Sequence, residues 1–188
     1  TSNASKGVSG LLGSNCYDFN VSDRYISISG SLDVRCISLW INSRDVLGTS
    51  NKGIFMIKQD SSKGFGHGDW TKAVDGEVLT VADGTSMTYT TVTESENQWL
   101  NIIYNWNGST YNIYVNGEKR DTGTNDGGAP LMSYTDWRIG YRPSVGDRAF
   151  NGKMSEVRIY DRPLTQSEIQ YLYSVGKRGQ HVTSKKTS

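Results

Sequence analysis

The sequence predicts an all-β sandwich of two antiparallel sheets with one short C-terminal helix. Three observations lead there: a composition rich in strand and turn formers, apolar residues at alternate positions along most of the chain, and an Asn-Gly pair between two such runs. The 188 residues include 20 aromatics (5 Trp, 11 Tyr, 4 Phe) and 21 Gly against 3 Pro. That length suits one domain with a sizeable core and is short for two.

In chain order, Tyr25-Ile26-Ser27-Ile28-Ser29 alternates isoleucine with polar residues. Cys36 to Ile41 sets Ile37, Leu39 and Ile41 on one face and Cys36, Ser38 and Trp40 on the other, which makes Trp40 a candidate to line an open sheet surface. Further strands read at 53–59, 77–82, 86–92, 98–106, 110–115, 136–141 and 153–160, with Gly, Asn and Asp between them. Such spacing belongs to a sandwich and not to βαβ units. Asn116-Gly117 supplies the two positive-φ residues of a type I′ turn, and Asn107-Gly108 joins the preceding strand, making a three-stranded meander. Thr165-Gln166-Ser167-Glu168 is a capping box, with Leu164 and Ile169 placed as a hydrophobic staple and Gly176 placed to end the helix. The expected organisation is an arm or linker at 1–14, the sandwich at 15–176 and a basic tail at 177–188. The opening residues show no apolar leader segment.

Net charge is +1, but residues 177–188 contribute +4, leaving −3 for the rest. The body has no basic surplus with which to follow a phosphate backbone, so nucleic acid is excluded as the expected partner. No apolar run approaches the roughly 18 residues of a membrane-spanning helix, so no membrane insertion is expected. Two cysteines, Cys16 and Cys36, allow one disulfide if their Cα atoms lie within about 7 Å, and a bridge would indicate an oxidising compartment.

Residues 150–173, FNGKMSEVRIYDRPLTQSEIQYLY, combine a turn, a strand ending in Glu-Val-Arg-Ile-Tyr, an Asp-Arg-Pro-Leu bend and a capped helix. Tyr17-Asp18-Phe19 with Tyr25 to Ile28, Ile37 to Ile41, Gln98-Trp99 with Tyr111 to Gly117, and Trp137-Arg138-Ile139-Gly140 precede it in order. This series resembles the laminin-G-like group of concanavalin A-like lectin/glucanase domains over roughly residues 17–173. The resemblance implies a jelly-roll sandwich. It does not by itself imply an activity, since one fold hosts many functions.

Glycosidases of this fold work with acids at alternate positions of one strand. The nearest pattern is Asp75-Gly76-Glu77, but positions 73 and 79 are Ala and Leu, so the third acid is missing. A Ser/His/Asp site finds no Gly-x-Ser-x-Gly elbow, and the chain is expected not to be an enzyme. Relatives of the group bind calcium through an Asp in the closing strand. Ser155 stands at that place here and offers no carboxylate, with Glu156 and Asp161 nearby as substitutes.

Sugar recognition needs an aromatic plate for the C–H face of the ring and polar groups for its hydroxyls. Two segments combine these: His67, Asp69 and Trp70 in a glycine-rich loop, and Tyr141, Arg142 and Asp147 after the Trp137 strand. The expected function is a non-catalytic recognition module for glycan or a surface protein, displayed outside a cell, at the cell surface or on a virion. The alternative is a structural decoration or tail-fibre domain whose arms dock into neighbouring subunits.

Overall fold

The computed structural model of the chain describes residues 5–9, 15–20, 24–44, 52–57, 63–67, 78–83, 87–93, 96–108, 110–124, 134–141 and 149–184. In chain order the strands are Ser5–Ser9 (β1), Asn15–Phe19 (β2), Ile26–Leu32 (β3), Cys36–Ser43 (β4), Lys52–Ile57 (β5), Lys63–His67 (β6) and Val78–Asp83 (β7). Met87–Thr93 (β8), Trp99–Trp106 (β9), Thr110–Val115 (β10), Glu118–Thr124 (β11), Tyr134–Ile139 (β12) and Gly152–Tyr160 (β13) follow, and Gln166–Ser184 forms the helix α1. They make two antiparallel sheets, one of seven strands in the order β1-β2-β13-β4-β9-β10-β11 and one of six in the order β3-β12-β5-β6-β7-β8. The predicted all-β sandwich with a single C-terminal helix is the observed architecture.

The core lies between the sheets. Ile37, Leu39 and Ile41 of β4, Ile102 and Tyr104 of β9, and Ile113 and Val115 of β10 form one buried cluster with Trp137 and Ile139 of β12. The alternation read from the sequence produces this face directly. It does not account for β4, where Cys36, Ser38 and Trp40 on the opposite face are buried too.

That second face is covered by α1. Cys36, Ile103 and Tyr114 form a buried cluster with Leu164 and Ile169, and Trp40 stacks on Tyr173 with ring centroids 5.8 Å apart and planes 17° from parallel. Trp40 therefore does not line an open sheet surface, because the helix lies over it. The approach to the helix is fixed by Asn105, whose amide donates to the Leu164 carbonyl and accepts the Leu164 N–H, both at 2.8 Å. A buried side chain thus replaces the backbone partners that Leu164 lacks at the sheet surface.

The capping box forms as predicted. The Thr165 N–H donates to Glu168 Oε2 at 2.8 Å, and the Glu168 N–H donates to Thr165 Oγ1 at 3.3 Å. Arg162 adds a second clamp, with Nη1 at 3.1 Å from Glu168 Oε2. At the other end the prediction fails: α1 continues through Gly176 to Ser184, so much of the expected basic tail is helical. A Cβ on Gly176 would lie 2.4 Å from the Trp40 ring. Glycine here lets the helix approach Trp40 and does not terminate it.

Local geometry supports the same packing. Asn116 and Gly117 have φ of 54° and 79°, giving the type I′ turn between β10 and β11. Gln166 Nε2 donates to the Gly117 carbonyl at 3.2 Å, tying the turn to the start of α1. In β13 the register against β4 shifts between Ser155 and Arg158, and Glu156 has φ of 55°. This bulge inserts one residue, so that Met154, Val157 and Ile159 all reach the inter-sheet core.

The strand β1 draws part of the expected N-terminal arm into the seven-stranded sheet by pairing with β2. The glycine-rich segment read as a loop around His67 contributes β6, because Gly64 and Gly66 pair with both β5 and β7.

Two measurements check the helix contacts. Replacing Gly176 by Ala is expected to lower the unfolding free energy by about 1–3 kcal/mol in urea, through overpacking against Trp40 that outweighs the helix propensity gained. The loss should shrink when Trp40 is also replaced by Leu. Separately, Arg162 above all, and then the Thr165 hydrogen bonds, hold the Glu168 carboxyl down at about 2 from an ordinary 4.5. A depressed folded pKa stabilises fully above the unfolded value and is lost as pH falls towards 2. The thermal midpoint of wild type should exceed that of Glu168→Gln near pH 6, with the difference fading between pH 4.5 and pH 2.

Candidate functional site

Along β12, Trp137 and Ile139 are buried in the inter-sheet core, so period-2 geometry turns Arg138 to the outward face of the six-stranded sheet. Ser27 of β3 is its register partner and shares that face. Tyr25 immediately precedes β3, and Tyr141 follows β12 after Gly140, whose φ is 85°. A Cβ on Gly140 would lie 2.4 Å from the Phe19 ring, so only glycine allows this turn against the core.

These residues meet. The guanidinium carbon of Arg138 lies 4.4 Å from the Tyr25 ring centroid and 5.5 Å from that of Tyr141. The two rings are themselves 5.8 Å apart, tilted by 36°. All three side chains are half-buried, and Arg138 Nε is buried with no hydrogen-bond partner. A cation held against two aromatic faces is worth roughly 0.5–2 kcal/mol per contact, and here it fixes the plane of the guanidinium.

Tyr141 pairs with Ala149 in an antiparallel bridge, and the Phe150 N–H donates to the Gly140 carbonyl at 2.9 Å. Register also relates the two segments nominated from sequence. Ile139 pairs with Phe55 and Phe55 with Phe65, so β12 and β6 run parallel and end, at Ile139 and His67, towards the same side of the sheet. One strand, β5, lies between them, a separation of roughly 10 Å. Of the six nominated residues, Tyr141 and the backbone of His67 are thus located. Asp69, Trp70, Arg142 and Asp147 lie outside the described residues, as do Asp75 and Glu77.

Sequence reasoning missed Arg138 and Tyr25. The signal for Arg138 was present, since a charged residue between two core aromatics or aliphatics on a strand must face outward. Nothing local indicated that Tyr25 and Tyr141 would enclose it, because they are 116 positions apart.

Two other expectations meet the structure differently. Cys16 and Cys36 are buried and form no disulfide with each other. Tyr17 pairs with Met154 and Cys36 with Tyr160 on opposite sides of β13. The intervening strand alone imposes roughly 10 Å between them, beyond disulfide reach. Burial raises both thiols, that of Cys36 to about 12. Ser155 is buried opposite Trp40 in register, on the face that the helix covers. Glu156 is paired with Arg158, and among the described residues no three His, Cys, Asp or Glu side chains gather as a metal site. The residues around Ser155 therefore do not fit the family's calcium ion. Among the described residues no helix is long and apolar enough to cross a membrane.

The family model described as the concanavalin A-like lectin/glucanases superfamily matches residues 21–170. No curated protein matches the chain. Among solved structures, the chain is similar to domain 4 of AbnA, an extracellular GH43 arabinanase from Geobacillus stearothermophilus in complex with arabinotriose. The TM-score is 0.68 at 18% identity, covering 92% of this chain and 82% of that one. It is also similar to a heptameric SAP-like pentraxin from Limulus polyphemus (TM-score 0.62, 16% identity, 82% and 77% covered). The receptor binding domain of botulinum neurotoxin D gives a TM-score of 0.67 at 14% identity, covering 93% of this chain and 46% of that one. At these identities the likeness establishes the fold.

Buried, protonated thiols react slowly. A disulfide-exchange titration of the native protein is therefore expected to detect neither cysteine, and the same titration in guanidinium to detect both without prior reduction. Fewer than two thiols after unfolding would restore the bridge.

Proposed function

The chain belongs to the concanavalin A-like lectin/glucanases superfamily, and on that premise we propose that it is a non-catalytic recognition module that binds glycan at one end of its six-stranded sheet. The observation behind this reading is the Tyr25–Arg138–Tyr141 cluster, at the sheet end from which the segments after His67 and Tyr141 depart. Tyrosine faces offer stacking surfaces for sugar C–H groups, and the guanidinium edge and the Ser27 hydroxyl offer hydrogen bonds. Asp69 and Trp70, close after His67 in the sequence, and Arg142 and Asp147, close after Tyr141, are the further residues nominated for the site. The arabinanase domain with arabinotriose and the toxin receptor binding domain support a binding role for this fold. The missing third acid beside Asp75 and Glu77 supports a non-catalytic one.

Such a module acts outside the cell, on a cell surface or on a virion, and the extracellular arabinanase is consistent with the first. A second reading is a structural decoration or fibre domain that contacts a surface protein or neighbouring subunits through its ends. The observation favouring it is β1, which ends the strand order of the seven-stranded sheet and among the described residues pairs with β2 alone; an edge strand of this kind can accept another chain.

A glycan array probed with wild type, Trp70→Ala and Tyr141→Ala separates these readings. Binding of at least one glycan by wild type, weakened about tenfold or more in each variant, is the expected result. Absence of binding to every glycan, or profiles unchanged by both substitutions, would count against the proposed site.

A further inference from the structure

Arg138 differs from the ion-paired arginines of the described residues in what holds it. Arg35, Arg44, Arg120, Arg158 and Arg162 each form an ion pair with a carboxylate. Arg138 is held instead by two tyrosine rings, and among the described residues no carboxylate pairs with it. Its Nε is buried and makes no hydrogen bond. A half-buried guanidinium in this setting has given up part of its hydration without gaining a counter-charge, and a bound anion would supply one.

Resting on the glycan-binding reading above, we infer that Arg138 selects acidic sugars, receiving the carboxylate of a uronate-type residue while Tyr25 and Tyr141 meet its ring. The chemistry follows from shape. A guanidinium is planar and offers parallel N–H donors, which match the two oxygens of a planar carboxylate. The rings pressed against it hold that plane in one orientation, so less freedom is lost when the anion docks. A pyranose with a carboxylate presents both features at once: a C–H face for an aromatic ring and a charged group at its edge.

Charge restricts the class further. The residues before 177 sum to −3, and the described part of the cluster holds one cation, Arg138. A densely sulfated polymer would be repelled by a body of net negative charge. One carboxylate on an otherwise neutral oligosaccharide fits that balance better.

The test compares glucuronate- and galacturonate-containing oligosaccharides with their methyl esters, titrated calorimetrically against the full chain at low salt. The free acid of at least one should bind about tenfold or more tightly than its ester, as a charge-assisted bidentate contact implies. Arg138→Gln should reduce the acid to the affinity of the ester. Arg138→Lys, which keeps the charge and the aromatic contact but not the fork, should recover only part of the difference.

Equal affinity for acid and ester in wild type would overturn the acid preference and leave glycan binding standing. An unchanged acid preference in both Arg138 variants, with the preference located elsewhere, would also overturn it. Absence of binding to any acidic or neutral glycan would remove the recognition reading along with it.

Discussion

A strand buried on both faces needs a cover on each, and β4 imposes that condition on the whole domain. Residues 36–41 are buried without exception. One face closes against the six-stranded sheet, but the other would leave Trp40 and Cys36 in water unless another element covered them. The helix α1 is that element, fixed by Asn105 at its approach, by the Glu168 box at its first turn and by Tyr173 and Gly176 over Trp40. Burying Trp40 alone is worth several kcal/mol on the scale of aromatic-to-alanine substitutions in cores, about 3–5.

This asymmetry makes the two outward faces unlike. The outward face of the seven-stranded sheet is occupied around β4 by the helix. The outward face of the six-stranded sheet bears Arg138 and Ser27, with Tyr25 and Tyr141 at its end. Trp137 points inward to the core, whereas Tyr25, by its parity with Ile26, and Tyr141, through the turn at Gly140, gather on the cation that points the other way. The tight turn at Gly140, pressed on Phe19, couples core packing to the position of Tyr141.

Much of the fold was legible locally because its signals are local. Asn116-Gly117 needs only its own positive φ angles, and the Thr165–Glu168 box only four consecutive residues. Ile37, Leu39 and Ile41 reveal their face by alternation. The β13 bulge is also written in the spacing Met154, Val157, Ile159, where the interval of three demands an extra residue. By contrast, β6 hides in Lys-Gly-Phe-Gly-His, a sequence with poor strand propensity that is ordered by pairing with neighbours on both sides. His67 was nominated as a loop residue, and it is instead the last residue of a strand.

By itself the sequence determined the class of fold, most strand faces, the hairpin and the start of the helix, since each depends on periodicity or on residues within one turn of each other. It also marked Tyr141 and His67 as candidates for the same task without showing that β12 and β6 run parallel towards the same side of the sheet. Tertiary structure decided what depends on distant partners: that Gly176 belongs inside a helix because Trp40 lies beneath it, that Cys16 and Cys36 remain apart because β13 runs between them, and that Tyr25, Arg138 and Tyr141 converge. A glycine has the same local preferences at a helix end as in a close contact, and an arginine the same side chain whether paired or waiting for an anion. Only the neighbours brought by the fold distinguish these cases.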